Sequence, residues 1–388
     1  MLFSPEHDAL RNTVARFVED EINPHVDAWE EAEEFPSHML FKKLGDLGLL
    51  GIKYDPAHGG LGLDFSFSMV MAEELGLVAC GGVPMAIGVQ TDMATPALNR
   101  FATDDLKKAW LAPTIAGDMV ASIAVSEPHA GSDVANIKTN AKKDGDDYVV
   151  HGHKWFITGA GEAQHFILIA RTSDDTRKGL TAFLFDADQP GWEILRRIPI
   201  MGPEEHGGHC EIEFDGLEIP DENRLMEIGD GLKVTQIRLG TARLTHCMRW
   251  TGMAKRALEE TFDYVRERQA FGETLADHEG VQWLLGEAAM QIEIGRLLTM
   301  RAAAKLDAGD FARKEVSMAK VVVSETLHKA IDTAIQLRGA RGYSKDTPLE
   351  WMYRYARQAR LVDGSSETHK MVLSRYLLNE GLDFWSWD

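Results

Sequence analysis

The spacing of apolar residues changes twice along this chain, and that change limits the folds it can adopt. From residue 4 to about 117 the apolar side chains recur at helical spacing, as Leu10, Val14 and Phe17 do. Between about 119 and 220 they alternate with a period of two, which is typical of strands. From about 230 the helical spacing returns. We therefore predict a helical domain over residues 1–118, a β domain over 119–229 and a helical bundle over 230–388.

The middle region contains short strand-like runs at 148–157, 166–170, 180–186 and 211–215, bounded by Gly, Pro and Asp. No run is followed by a helix of crossover length, so we expect an antiparallel sheet that forms a barrel or sandwich. In the last region the apolar stripes lie on long helices joined by short loops, which predicts a four-helix bundle.

An excess of acidic residues restricts the partners of this chain. Its 388 residues include 41 Lys and Arg against 61 Asp and Glu, a formal net charge of −20. The resulting field repels nucleic acid and anionic membrane surfaces, so we expect neither as a partner. No segment approaches the ~18 uncharged apolar residues that a membrane span needs.

Cysteine usage and the first residues predict the compartment. Cys80, Cys210 and Cys247 lie far apart and form no disulfide framework, which indicates a reducing environment. The first residues carry an acid, Glu6, and no apolar core, unlike a signal or transit peptide. We therefore expect a cytoplasmic protein.

Histidines near cysteines do not predict a metal or a nucleophile. The run 206–210 lacks further ligands at helical spacing and is interpreted as a flexible loop, so no metal site is expected. His246 and Cys247 are neighbours on a predicted helix and diverge by ~100°, which excludes them as a catalytic pair.

The stretch 121–160 points to a bound cofactor. It combines a turn rich in hydroxyls and small residues (Ser126, Gly131, Ser132) with a strand that ends in Phe156, Ile157 and Thr158. Such a turn exposes N–H groups and hydroxyls to a polar ligand, and the strand end offers apolar surface to a flat ring. The alternative is an ordinary hairpin, because 144–147 is a plain turn signal. Neither a P-loop nor a G-x-G-x-x-G motif after a strand occurs.

Four further features lie in the C-terminal region: 268–272, with Arg268 and Phe271 after a long helix; 336–343, rich in glycine; Arg243; and 363–367, with Asp363 before Gly364. Each alone is explained by a helix terminus or a solvated charge. Their occurrence together, in this order, is much less expected by chance.

These motifs make the chain resemble the acyl-CoA dehydrogenases over nearly its whole length. The matching segments are S-E-P-H-A-G-S-D-V-A-N-I-K-T, K-W-F-I-T-G, R-Q-A-F-G-E-T-L-A-D-H-E, Q-L-R-G-A-R-G-Y and D-G-S-S-E. The resemblance implies an FAD flavoprotein with an N-terminal all-α domain, a middle antiparallel β domain and a C-terminal four-helix bundle. It also implies a homotetramer, a dimer of dimers, in which a neighbouring subunit completes the adenosine end of the FAD site.

The resemblance assigns site residues by position. Those expected to bind FAD within one subunit are Ile123, Val125, Ser126, Ser132, Phe156, Ile157, Thr158, Ser365 and Glu367, with Thr158 near flavin N5. Those expected to complete a neighbour's FAD site are Arg268, Phe271, Gln336 and Gly339. Those expected to contact the substrate are Ser132, Arg243 and Gly364.

The implied reaction is the α,β-dehydrogenation of an acyl-CoA thioester to the trans-2-enoyl-CoA, with electrons passed to electron-transferring flavoprotein. Asp363 matches the position of the base that removes the α-proton, where the family usually has glutamate. The family's alternative base position is Ala242, so Asp363 is the expected base. Aspartate is one methylene shorter than glutamate. The chain nevertheless resembles a subgroup that has aspartate at this position, as judged from the segments R-L-T-H-C-M-R-W and D-G-x-x-E-x-H.

Two alternatives remain open at this point. One is a flavin oxidase of the same fold that acts on a non-CoA acid such as a nitroalkane, because that branch also uses aspartate as its base. The other is a catalytically silent assembly subunit. Retention of Thr158, Arg268 and Asp363 argues against the silent subunit.

Overall fold

The computed structural model describes residues 3–201 and 208–386. Its N-terminal part is helical. Ser4 caps the first helix, with Pro5 as the first helical residue. The helices are α1 (Pro5–Phe17), α2 (Val26–Ala32), α3 (Ser37–Asp46), α4 (Phe65–Leu75), α5 (Gly82–Gly88), α6 (Thr95–Phe101), α7 (Asp104–Leu106) and α8 (Ala112–Ile115).

The middle part forms one sheet whose eight strands all lie within the described residues. The strands are β1 (Ala121–Ala124), β2 (Asn140–Asp144), β3 (Asp147–Thr158), β4 (His165–Arg171), β5 (Leu180–Asp186), β6 (Trp192–Arg197), β7 (His209–Pro220) and β8 (Arg224–Leu225). Their order is β6-β7-β3-β2-β4-β5-β8, with β1 added beside β4.

The prediction of a purely antiparallel sheet is wrong for two strand pairs. β1 pairs with β4 in parallel, with Ala121 opposite His165, and β2 meets β4 in parallel at Asn140 and Arg171. The chain reaches β4 from β1 through the antiparallel β2–β3 hairpin and needs no crossover helix. The absence of such a helix was therefore a poor guide to strand direction.

The long helices of the C-terminal part pack on one another. The elements are α9 (Gly231–Glu267), β9 (Gln269–Ala270), β10 (Glu273–Thr274), α10 (Glu279–Asp307), α11 (Arg313–Arg338), α12 (Ala340–Tyr343), α13 (Leu349–Ala356) and α14 (Ser366–Glu380). α9, α10 and α11 contact one another, and α14 packs on α11. Buried side chains such as Trp250, Leu327 and Ile331 form their common core. The predicted fold class is confirmed.

Two further observations concern the apolar character of the helices and the state of the cysteines. No helix within the described ranges is long and apolar enough to cross a membrane. Cys80, Cys210 and Cys247 form no disulfide with one another, and all three are buried.

A buried carboxylate ties the N-terminal helices to the C-terminal ones. Glu73 on α4 is 1% exposed, and its oxygens lie 3.4 Å from Arg11 Nη2, 3.1 Å from Lys255 Nζ and 3.1 Å from Arg296 Nη2. These cations lie on α1, α9 and α10. Burial acts to raise the pKa of Glu73, but the charges of Lys255 and Arg296 hold that pKa below its ordinary value.

We expect Glu73→Gln to lower the free energy of unfolding by about 1.5–3 kcal/mol at pH 7, because the buried carboxylate loses its charge-assisted contacts with three partly exposed cations. Since the folded-state pKa of Glu73 is lowered, its contribution is full above the ordinary pKa of 4.5 and is lost as the pH falls through the folded-state value. Denaturant unfolding at several pH values measures the difference between variant and wild type.

The matched control is Glu287→Gln, which removes an exposed ion pair with Lys329 and should cost less than about 1 kcal/mol. Equal losses in the two variants, or a loss for Glu73→Gln that does not shrink in acid, would contradict the role of this carboxylate.

Candidate functional site

A cavity of about 820 Å³ lies where the three parts of the chain meet. Met85, Val89 and Met93 line it from the N-terminal part, and side chains of the sheet and of the C-terminal helices line the rest. Its volume lies in the range of about 300–1,000 Å³ typical of small-molecule sites. The predicted site residues that line it are Ile123, Val125, Ser126, Ser132, Phe156, Ile157, Thr158, Arg243, Asp363 and Gly364.

The other predicted site residues lie outside this cavity. Arg268 follows the last turn of α9, and Phe271 lies in the following turn with its side chain 99% exposed. Gln336 and Gly339 are exposed at the end of α11. Ser365 and Glu367 lie at the start of α14, where Ser365 Oγ accepts a hydrogen bond from the Thr368 N–H.

A buried ion pair shapes the turn after β1. Glu127 accepts hydrogen bonds from the N–H groups of Lys138 (2.6 Å) and Thr139 (2.9 Å), and its Oε1 lies 2.9 Å from Lys154 Nζ. Lys154 also donates to the Val125 carbonyl at 2.8 Å. Burial lowers the pKa of Lys154 to about 8, and the charge of Glu127 offsets part of that effect. The buried pair of Glu127 and Lys154 therefore fixes the position of the turn that carries Ser126 and Ser132.

The end of β3 presents an aromatic side chain and a hydroxyl to the cavity. Phe156 has a φ of 59° and is 50% exposed, because a β-bulge between Lys154 and Ile157 turns it out of the strand. Trp155 stacks on Phe156 at 5.8 Å between ring centroids. The Trp155 indole N–H is buried and, within the described residues, has no hydrogen-bond partner.

His209 meets this strand end and was misjudged in the sequence. Residues 206 and 207 of the expected flexible loop lie outside the described residues, but His209 and Cys210 belong to β7. His209 lies opposite Thr158 in the sheet, and its Nδ1 is 2.7 Å from Thr158 Oγ1. Alternation of apolar residues from Cys210 onwards could have extended the predicted strand to His209.

The loop of Asp363 and Gly364 is held by side chains from three helices. The Asp363 carbonyl accepts hydrogen bonds from Arg243 Nε at 2.8 Å and from His369 Nε2 at 3.2 Å. Lys320 Nζ on α11 donates to the Gly364 carbonyl at 3.1 Å and to the Ala359 carbonyl at 2.6 Å. Asp363 itself has a φ of 51°, in the left-handed region where aspartate is enriched among residues other than glycine.

The buried bases around this loop have lowered pKa values. Burial lowers the pKa of Lys320 to about 8 and that of His369 to about 4, and nearby cations such as Arg243 add to the effect on His369. His369 is therefore neutral at pH 7. Its Nε2 faces the Asp363 carbonyl, which can only accept, so the proton of the neutral ring is on Nε2, and Nδ1 accepts from Ser317 Oγ at 3.1 Å.

A second histidine, His246 on α9, lies against the side chain of Asp363. Its Nε2 is 3.4 Å from Asp363 Oδ2, and its Nδ1 is 2.8 Å from Arg249 Nη2. Sequence reasoning weighed His246 only against Cys247 and missed this contact. Helix spacing offered no signal for it, because the two partners are far apart in the sequence and meet only through the fold.

The cavity lining contains histidines, hydroxyls and two carboxylates, those of Glu127 and Asp363. Among the described residues no group of three or more His, Cys, Asp or Glu side chains could hold a metal ion. The arrangement can take a proton at Asp363, offer N–H and O–H groups to a polar ligand along the turn, and pack a flat ring on the end of β3.

Comparisons with known proteins identify the architecture. Family models described as the N-terminal, middle and C-terminal domains of acyl-CoA dehydrogenase match residues 4–118, 122–217 and 229–378. An acyl-CoA dehydrogenase of Bacillus subtilis (strain 168) is 32% identical over 380 residues, covering 97% of this chain and 99% of the relative.

Two further similarities bear on chemistry. The 3-(aryl)acrylate reductase of Clostridium sporogenes (strain ATCC 15579) is 30% identical over 385 residues, covering 97% of this chain and all (100%) of the relative. A solved structure described as the FAD complex of PigA superposes with a TM-score of 0.92 at 26% identity, covering 98% of this chain and 99% of that one.

We expect Lys320→Met to lower the free energy of unfolding by about 2–4 kcal/mol, because two buried carbonyl oxygens lose their donor. Loss of the clamp should also speed amide hydrogen exchange in residues 361–366, which hydrogen-exchange mass spectrometry measures. The control is Lys329→Met on the same helix, whose ammonium is exposed and pairs only with Glu287 on the described surface. Unchanged exchange in 361–366 would show that Lys320 does not hold the loop.

Proposed function

Because this chain belongs to the acyl-CoA dehydrogenase family, we propose that it removes the α and β hydrogens of an acyl-CoA thioester to form the trans-2-enoyl-CoA. It is an oxidoreductase of this family, and its cofactor is FAD. One observation carries the proposal: the strand end of Phe156–Thr158 and the carboxylate loop of Asp363 line the same cavity.

The residues of the cavity fit FAD. Ser126 and Ser132 offer hydroxyls on an anchored turn, and Ile123, Val125 and Ile157 supply apolar surface. The buried Trp155 indole N–H lacks a partner within the described residues, and a heteroaromatic ligand with acceptor atoms would satisfy it. FAD, when bound, accepts the hydride equivalent that leaves the β-carbon of the substrate.

The chain's own residues supply the proton chemistry and the orientation. Asp363 takes the α-proton, and its backbone N–H donates to the thioester oxygen, which makes the α C–H more acidic. Arg243, Lys320 and His369 fix the loop that carries both groups. Arg243 and Gly364 also line the cavity, where we expect both to contact the substrate, Arg243 near the thioester and the CoA arm.

The aspartate in place of glutamate is proposed as the mark of a subgroup. Asp363 is one methylene shorter, and a displacement of about 1 Å costs ~100-fold in rate when uncompensated. The left-handed backbone at Asp363 suits aspartate, and the buried side chains behind the loop support its position.

Assembly and electron transfer form the second half of the proposal. We propose a homotetramer, a dimer of dimers, in which Arg268, Phe271, Gln336 and Gly339 complete the FAD site of a neighbour. Their position outside the cavity and the 99% exposure of Phe271 support this role. We propose that electron-transferring flavoprotein accepts the electrons and that the protein works in the cytoplasm. The proposed domains are residues 1–118, 119–229 and 230–388.

We expect Asp363→Asn to keep FAD but to lose anaerobic flavin bleaching by about 10²–10⁴-fold with any acyl-CoA that bleaches the wild type, because the base is gone. A panel of short, branched, aromatic and hydroxylated acyl-CoAs, followed by stopped-flow absorbance, provides the measurement. Asp383→Asn, an exposed carboxylate near the C-terminal end of the described chain, serves as the control and should bleach normally.

Other outcomes point elsewhere. No bleaching of wild type by any acyl-CoA would refute the dehydrogenase. Peroxide formation with a nitroalkane and without electron-transferring flavoprotein would instead establish the oxidase. Chemically reduced flavin that an enoyl-CoA or an arylacrylate reoxidises, in a protein whose oxidised flavin no acyl-CoA reduces, would indicate a reductase. Full activity of Asp363→Asn would move the base to another residue.

We expect Arg268→Ala to remain a tetramer while binding FAD about 10- to 100-fold more weakly, because a guanidinium–phosphate hydrogen bond across the interface is lost. Sedimentation velocity gives the mass, and flavin fluorescence gives the dissociation constant. Arg266→Ala removes a neighbouring exposed guanidinium paired with Asp263 and is the control. Unchanged FAD affinity in Arg268→Ala would exclude its role in a neighbour's site.

A further inference from the structure

We propose that His246 is a positioning residue that holds the Asp363 carboxylate in place for proton abstraction, an inference that rests on the proposed function of Asp363. The contact joins α9 to the tail loop across the wall of the cavity, where His246 Nε2 lies 3.4 Å from Asp363 Oδ2. Contacts of this kind are often long before the substrate binds and tighten in the complex.

Arg249 sets which imidazole nitrogen carries the proton. Its guanidinium can only donate, so the 2.8 Å contact from Nη2 makes His246 Nδ1 an acceptor. The same guanidinium donates from Nη1 to the Pro84 carbonyl at 2.7 Å, which anchors it to the N-terminal part. A neutral His246 therefore has its proton on Nε2, the nitrogen that faces Asp363.

The imidazole ring is also fixed in orientation. His246 is 3% exposed, and its ring stacks on the Trp250 indole with centroids 5.1 Å apart and planes 11° apart. Trp250 is itself fully buried. Since the support is rigid, a hydrogen bond that forms when this 3.4 Å contact tightens would restrict the carboxylate to one rotamer. It would supply part of the compensation that a shorter side chain requires.

The groups facing His246 keep it neutral. Arg249 lies beside it on α9, Lys320 faces it from α11, and Asp363 lies opposite in the tail loop. Arg243 on α9 and His369 on α14 contact the backbone carbonyl of Asp363. Burial and the charge of Arg249 lower the pKa of His246, and the opposing effect of Asp363 is smaller. His246 therefore keeps at neutral pH an Nε2–H that can donate to the carboxylate.

Two substitutions at this position separate hydrogen bonding from packing. His246→Leu introduces an apolar side chain of similar size and removes the donor, whereas His246→Gln keeps an N–H donor and an acceptor. We expect His246→Leu to slow substrate-dependent flavin bleaching by about 100-fold with little change in KM. We expect His246→Gln to recover most of that rate.

The pH profile gives a readout that packing alone would not move. A hydrogen bond to a carboxylate favours its ionised form, so its loss raises the pKa of the base. The rise of the bleaching rate with pH should therefore shift upward by about one unit or more in His246→Leu and not in His246→Gln. Wild-type rate and an unshifted profile in His246→Leu would overturn the proposal.

A double-mutant cycle keeps the proposal testable apart from catalysis. We expect the changes in Tm of His246→Leu and Asp363→Ala to be non-additive, because each substitution removes one partner of the same contact. Additive changes would overturn the contact even if the enzyme bleaches normally. Coupled positions in a wild type that no acyl-CoA bleaches would refute the proposed reaction while supporting the link between His246 and Asp363.

Discussion

The ammonium group of Lys320 is the interaction on which the arrangement of the site depends. It lies fully buried on α11 and donates to two carbonyl groups of the segment that carries Asp363. A charge in such a place is costly unless its hydrogen bonds are satisfied. The folded bundle is therefore most stable when the segment that carries Asp363 covers this ammonium group. That position of the segment also brings Asp363 to the cavity. In this way a requirement of folding also positions the proposed base.

Local chemistry in the sequence predicted the elements well. The change from helical to alternating spacing followed the helical and strand segments because burial on one face imposes a period on each. Ser4 and Pro5 mark the start of α1 as capping preferences require. These features depend on residues close together in the chain, and they can therefore be predicted from the sequence pattern.

Contacts between distant residues were beyond such arguments. The parallel pairing of β1 with β4 follows from a hairpin inserted between them, and the positive φ of Phe156 follows from a bulge. His209 beside Thr158 and His246 beside Asp363 depend on how whole elements pack. Ten of the residues suggested by family resemblance line one cavity. The motifs did not predict the buried residues that hold these side chains in place.

The cavity takes a wall from each of three separate stretches of chain, and this division has an evolutionary consequence. Val89 and Met93, from the N-terminal part, present apolar side chains to the cavity, whereas the loop clamp consists of Arg243, Lys320 and His369 from the C-terminal helices. Exchanges among apolar side chains there would alter the room for an acyl chain and leave the proton-transfer machinery intact. Substrate range and reaction type can thus diversify independently within this fold.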